Sequence, residues 1–130
     1  MKYSINEIFD FMSSEKDIAL QAKGIEEAKK VKYISIFLRP IESKLLWENC
    51  AKVIASKSDH ELKRLFEGLF EWLQDMTWPG ATIIYDRLLL AKGDEFLFAY
   101  KHSLEKAYKL EDDCWIEPLE SFWIEYKALH

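Results

Sequence analysis

The sequence has 130 residues, of which 49% are hydrophobic and 15% aromatic, with 23 acidic and 18 basic side chains. This apolar content excludes a disordered chain, and a chain of this length buries roughly two-thirds of its unfolded surface without needing disulfides or a metal. The formal charge of -5 disfavours nucleic-acid binding, because phosphates repel an acidic protein whose basic residues are spread along the chain. We therefore expect one folded domain over residues 1–130.

Compartment and cofactors are suggested by what the sequence lacks. It contains neither the apolar stretch of a signal peptide nor a membrane-spanning run. Cys50 and Cys114 are far apart and show no paired-ligand spacing, so we expect both to be reduced thiols in the core. The prediction is a cytoplasmic protein that binds no membrane, no metal and no cofactor.

The first third of the chain predicts helices, since only four glycines and three prolines are available for turns. Ser4 and Glu7 form a capping box that starts a first helix. Ser14 is predicted to cap a second helix, which ends at Gly24 as its C-cap.

Residues 25–38 carry a helical apolar stripe that Pro40 terminates, because a proline restricts the residue before it. The β-branched and aromatic content of residues 33–38 leaves a strand open as the alternative. After Pro40, an apolar stripe predicts a helix that stops near Ser56, with Leu46, Cys50, Val53 and Ile54 on its buried face.

Residues 61–91 predict a hairpin of two helices. The first helix runs to Met76 with apolar residues at three- and four-residue steps, and a capping box of Ser58 and Glu61 starts it. Pro79 suits the first position of the second helix, and Gly80 with Ala81 allows two backbones to approach closely. Trp78 is expected to fill the turn and to be the most secure core element.

The last third repeats this pattern. Gly93 and Asp94 predict a turn and a cap, and residues 111–113 predict a further break. Pro118 lies either in the first turn of the final helix or inside a helix that begins at Asp113.

The predicted fold class is therefore all-α. Six to eight short amphipathic helices with short turns favour a HEAT-like array of αα-hairpins, that is, a short helical solenoid. A compact irregular helical bundle is the alternative.

Catalytic motifs are mostly absent. His60, His102 and His130 each lack the spaced partner that a zinc site requires, and no glycine-rich phosphate loop is present. Cys50 lies on an apolar stripe, which predicts an inert buried thiol. The enzyme alternative is a metal or acid/base site in which His102 lies near Asp112 and Asp113.

Residues 47–88, and above all the strings WENCAK and WLQDMTWPGA, carry a family resemblance. The chain resembles a bacterial family of small domains of unknown function with a HEAT-like helical fold. The resemblance implies structural places for Trp47, Trp72, Trp78 and Pro79, and it implies no catalytic residues. Some small acidic HEAT-like bacterial proteins are immunity proteins that neutralise a toxin.

We therefore expect a non-catalytic scaffold that binds another protein, in its most specific form an immunity or antitoxin protein with a basic partner. The alternatives are the enzyme with a site near His102 and a structural subunit of a homo-oligomer. Half-exposed aromatic residues and charged side chains are the typical anchors of a protein interface. The residues expected to bind the partner are Trp47, Glu71, Asp75, Tyr85, Asp86 and Arg87.

Overall fold

A computed structural model describes residues 2–130, and over this range the chain is all-α without a strand. The eight α-helices are α1 (Ile5–Met12), α2 (Ile18–Ala28), α3 (Trp47–Ala55), α4 (Asp59–Leu62), α5 (Phe66–Glu71), α6 (Ala81–Leu89), α7 (Asp94–Lys109) and α8 (Asp113–Leu129). Short 3₁₀ segments lie at Ile34–Phe37, Lys44–Leu46 and Trp72–Gln74.

Two of the three predicted serine caps are confirmed. Ser4 Oγ accepts a hydrogen bond from Glu7 N at 3.1 Å, and Ser58 Oγ accepts one from Glu61 N at 3.2 Å, so both capping boxes are confirmed. The prediction for α2 was wrong by three residues: Asp17, whose Oδ1 accepts from Leu20 N at 2.8 Å, is the cap instead of Ser14.

Gly24 is not a C-cap, because it lies buried inside α2. A Cβ at this position would come within 2.8 Å of Phe11 Cβ and Met12 Cγ, so the glycine lets α1 and α2 cross closely. Neither a helix over residues 25–38 nor a strand over 33–38 forms. Ile34 and Phe37 instead occupy a 3₁₀ turn, whose three residues per turn place both side chains on the buried side.

The helix predicted from residue 61 to Met76 is divided into α4, α5 and the following 3₁₀ segment, although its apolar stripe is buried as expected. Pro79 precedes α6 instead of opening it. The N-cap is Gly80 at φ 85, and a Cβ there would lie 2.7 Å from Ala51 Cβ. Gly80 therefore combines a left-handed backbone with the close approach of α6 to α3.

Helix pairing is only partly sequential. The consecutive pairs α1 with α2 and α7 with α8 pack together, but α3 packs on α6 and α5 packs on α7. Within the hairpin predicted for residues 61–91, α5 and α6 contact each other less than they contact those other partners. The described residues thus form a compact packing of eight helices, and no repeating hairpin unit is evident among them.

The prediction that Trp78 is the most secure core element was wrong. Trp72 and Trp115 are fully buried and Trp47 is 8% exposed, whereas Trp78 is only half-buried. Trp78 packs edge-to-face against Trp47 with ring centroids 5.5 Å apart, so it covers the core near the turn.

Pro118 lies inside α8, which begins at Asp113, so the second of the two placements left open is the correct one. Because proline has no N–H, the carbonyl of Cys114 loses its helical donor.

We predict opposite outcomes for two glycine substitutions in helices. Both Gly24→Ala and Gly68→Ala gain about 0.5–1 kcal/mol of helix propensity. At Gly24 the new methyl meets the rigid atoms of α1, and this overpacking costs about 1–3 kcal/mol. At Gly68 the new methyl meets Leu38 Cδ1 at 3.0 Å, and this flexible side-chain end can move aside. Urea denaturation should show a net loss for Gly24→Ala only, and equal stability of the two variants would contradict this packing.

Candidate functional site

The outer surface of α8 is a band of carboxylates, which we call the acidic face: Asp113, Glu117, Glu120 and Glu125. All four residues are exposed, and no basic residue occurs from Leu110 to Tyr126. Asp113, Glu117 and Glu120 are spaced by four and three residues and therefore share one side of the helix, while Glu125 lies on its flank beside α6. Asp113 also complements the helix dipole, but the other three have no such local reason to be acidic.

The charge of the chain is asymmetric along its length. Residues 1–65 contain 12 basic and 10 acidic side chains, whereas residues 66–130 contain 6 basic and 13 acidic side chains. The surplus of negative charge therefore lies in the half that carries the acidic face.

Two tyrosines orient carboxylates of the acidic face. The hydroxyl of Tyr85 in α6 donates to Glu125 Oε1 at 2.7 Å, and the hydroxyl of Tyr108 in α7 donates to Glu120. Burial, followed by the bond to Glu125, raises the pKa of Tyr85, and the bond to Glu120 raises the pKa of Tyr108. Both phenols therefore remain neutral hydrogen-bond donors at neutral pH.

A cleft of about 400 Å³ borders the acidic face where α8 meets the turn after α5. Asp75 Oδ1 accepts from Thr77 N at 2.9 Å and from Thr77 Oγ1 at 2.6 Å, and these bonds lower the pKa of its carboxyl. Asp75 thus adds an oriented carboxylate to the cleft, which Glu117 also lines. The lining residues are Gln74, Asp75, Met76, Cys114, Glu117, Pro118 and Ser121.

The two cysteines occupy different environments. Cys50 is fully buried, which confirms its predicted place in the core, and burial raises the pKa of its thiol to about 12. Cys114 is exposed in the cleft, so the prediction of a core thiol was wrong for this residue. It lies in the first turn of α8, on the side that does not face the core.

The six residues expected to bind a partner are not equally available. Trp47 donates its indole N–H to Pro40 O at 2.8 Å and is almost fully covered. The Arg87 side chain is 10% exposed and binds Asp59 Oδ1 at 2.7 Å. Glu71 lies between two cations on other segments. Asp75, Tyr85 and the exposed Asp86 remain at the surface, and a partner-binding role stays a prediction for all six.

His102 on α7 pairs with a carboxylate of α5. Its Nδ1 is 2.8 Å from Glu67 Oε1, and its ring stacks on Phe98 with centroids 5.9 Å apart. The arrangement with Asp112 and Asp113 suggested by the sequence was therefore wrong. His102 and Glu67 are each about half exposed, and residues 2–130 contain no group of three or more His, Cys, Asp or Glu placed to hold a metal.

The acidic face was missed in the sequence because Asp113 was interpreted as part of a helix break or of a site near His102, and Glu117, Glu120 and Glu125 were not interpreted. The absence of a basic residue over 15 positions, from Glu111 to Glu125, was the available signal.

Comparisons with known proteins leave the family open: no family model, curated protein or solved structure matches the chain. The resemblance to small HEAT-like domains remains a prediction. Among the helices of residues 2–130, none has the length and hydropathy that crossing a membrane requires.

We predict that Arg87 is a structural residue. Arg87→Ala removes the bonds to Asp59 and to Lys57 O at 2.9 Å, leaving two partly covered acceptors without a donor. The free energy of unfolding should fall by about 1–3 kcal/mol. The matched control is Asp86→Ala at the exposed neighbour, which should change it by about 0.5 kcal/mol or less. Equal effects in urea denaturation would contradict the assignment.

Proposed function

We propose that the chain is a non-catalytic protein-binding scaffold, and that the acidic face docks on a basic surface of another protein. The most specific form of the proposal is an immunity or antitoxin protein that covers the basic, nucleic-acid-handling surface of a toxin. The uninterrupted acidic band on the exposed side of α8 is the single observation that carries it.

Electrostatic complementarity supports this choice of partner. Residues three or four positions apart on a helix have Cβ atoms about 5–6 Å apart, within the screening length of about 8 Å at physiological salt, so the potentials of Asp113, Glu117 and Glu120 add. Such a field raises the association rate for a cationic partner and repels acidic ones. Ile124 is 68% exposed on the same side of α8 and offers an apolar contact within the charged band.

The absence of catalysis is part of the proposal. A general acid or base needs a pocket that shifts its pKa, but His102 and Glu67 are each about half exposed. The buried Cys50 thiol, with its raised pKa, is a poor nucleophile. An enzyme using His102 remains the alternative, and metal analysis of the purified protein distinguishes it from a scaffold.

Two further expectations remain proposals. A HEAT-like array of hairpins is supported by the consecutive pairs α1–α2 and α7–α8, although the pairing of α3 with α6 departs from it. Assembly into a homo-oligomer is tested by the mass in solution, measured by light scattering.

The binding proposal predicts a charge-specific loss of affinity. The probes are purified basic toxins encoded beside the gene, titrated at two salt concentrations. Asp113→Lys with Glu117→Lys should weaken binding at least about tenfold, and the loss should shrink at high salt. The control, Glu15→Lys with Glu48→Lys, changes the net charge equally at exposed positions outside α8.

If both double variants weakened partner binding equally, the loss would be due to net charge alone, and this would contradict a specific role of the acidic face. Failure to bind or neutralise any neighbouring toxin would contradict the immunity role.

A further inference from the structure

The connection from Arg39 to Leu45, which we call the strap, lies over the cluster formed by Trp47 and Trp78. Pro40 O accepts the indole N–H of Trp47 at 2.8 Å. At the other end of the strap, Leu45 O accepts the amide of Ser14 at 3.0 Å. The strap therefore covers the cluster with one hydrogen bond near each end.

Two cations of the strap also rest on the tryptophan rings. The Arg39 guanidinium lies 5.5 Å from the ring centroid of Trp78, and Lys44 Nζ lies 5.5 Å from that of Trp47. Such contacts are attractive but individually weak. Ile41 at the tip is 96% exposed, so the middle of the strap adds little packing.

Arg39 combines an unfavourable backbone conformation with an unsatisfied side-chain donor. Its φ of 43 is in the left-handed region, which a non-glycine residue seldom occupies, and its Nε is buried without an acceptor among residues 2–130. The guanidinium reaches Glu71 only at 3.9 Å, and Glu71 is shared with Lys106 at 3.5 Å. Burial lowers the pKa of Arg39, consistent with a charge that is poorly compensated.

We propose that the strap opens as a unit while the helices stay folded, and that opening uncovers Trp47 and Trp78. Opening returns the orphaned Arg39 Nε to water and relaxes its backbone. It breaks the two hydrogen bonds, three weak cation–aromatic contacts and the long Arg39–Glu71 ion pair, and it uncovers the buried Pro40. Local opening of this kind is expected where a segment has few buried contacts and strained residues.

The uncovered rings would lie next to the candidate binding surface. Trp78 N donates to Asp75 O at 3.0 Å, and Asp75 lines the cleft beside Glu117. Strap opening would thus add aromatic anchors to a charged surface. The inference rests on contacts within the free protein and not on the proposed function, so each can fail without the other.

Hydrogen exchange of two protons reports the opening directly. The Trp47 indole N–H and the Ser14 amide are both bonded to strap carbonyls, whereas the Trp115 indole N–H donates to Phe70 O at 2.9 Å in the core. Exchange followed by NMR should be faster for the two strap reporters than for Trp115, and nearly independent of low urea concentrations.

A matched pair of variants tests the role of Glu71. Among residues 2–130, Glu71 is the one anion paired with Arg39. Glu71→Gln removes it and should speed exchange of both strap reporters by roughly threefold to tenfold. Glu67→Gln, one turn earlier on α5 and paired with His102, should leave them unchanged. The Trp115 proton should not respond to either substitution.

Three results would overturn the proposal. Exchange of the Trp47 and Trp115 indoles at the same rate and with the same urea dependence would mean that only global unfolding exposes Trp47. Equal acceleration of all three reporters by Glu71→Gln would indicate general destabilisation. Equal effects of the two glutamine variants would remove the assigned role of Glu71.

Discussion

Three tryptophans tie the helices to the connections between them through their indole N–H groups. Trp47 donates to Pro40 O at 2.8 Å, Trp72 to Pro79 O at 3.0 Å and Trp115 to Phe70 O at 2.9 Å. The first two acceptors belong to turn prolines, whose carbonyls have no partner in a helix ladder. A carbonyl that is wholly or partly covered needs a donor, and a large apolar ring that carries one satisfies packing and hydrogen bonding together.

The position of the acidic face depends on the third of these bonds. Trp115 joins the start of α8 to the end of α5, and Phe122 packs edge-to-face on Phe70 with centroids 5.5 Å apart. Two more side chains complete this attachment: Tyr100 OH donates to Leu119 O at 2.8 Å, and Tyr126 OH donates to Ala91 O at 2.6 Å. Because the inner side of α8 is fixed by aromatic residues, its outer side is free to carry charge.

Local features of the sequence were the most predictable. The capping boxes at Ser4 and Ser58 involve groups only three residues apart. The apolar stripe of residues 62–73 correctly predicted which side chains are buried, although these residues are divided among several short helices. The break between α4 and α5 was missed because residues 63–65 contain neither glycine nor proline. Pro79 and Gly24 were misplaced because each had a plausible local role, and contacts with a distant segment decided the outcome.

Contacts between distant residues could not be predicted from one sequence. His102 and Glu67 are 35 positions apart, and nothing in their local sequence pairs them. Tyr85 and Glu125 are separated by 40 positions. The negative charge of the candidate site, unlike these contacts, follows from the sequence alone, because the acidic segment contains no lysine or arginine. Its significance depends on which side of α8 faces solvent, and only the packing of Trp115 and Phe122 determines that.

Replacement of each tryptophan by phenylalanine tests most directly whether the indole bonds hold the structure together. Trp47→Phe, Trp72→Phe and Trp115→Phe keep an aromatic ring but remove the indole donor of a buried or partly buried carbonyl, so each should lose about 1–3 kcal/mol of unfolding free energy beyond the loss at Trp123→Phe. Trp123 is a half-buried ring that stacks on Tyr100 and serves as the control. Equal losses at all four positions in urea denaturation would show that ring packing alone stabilises the fold, and would contradict the account.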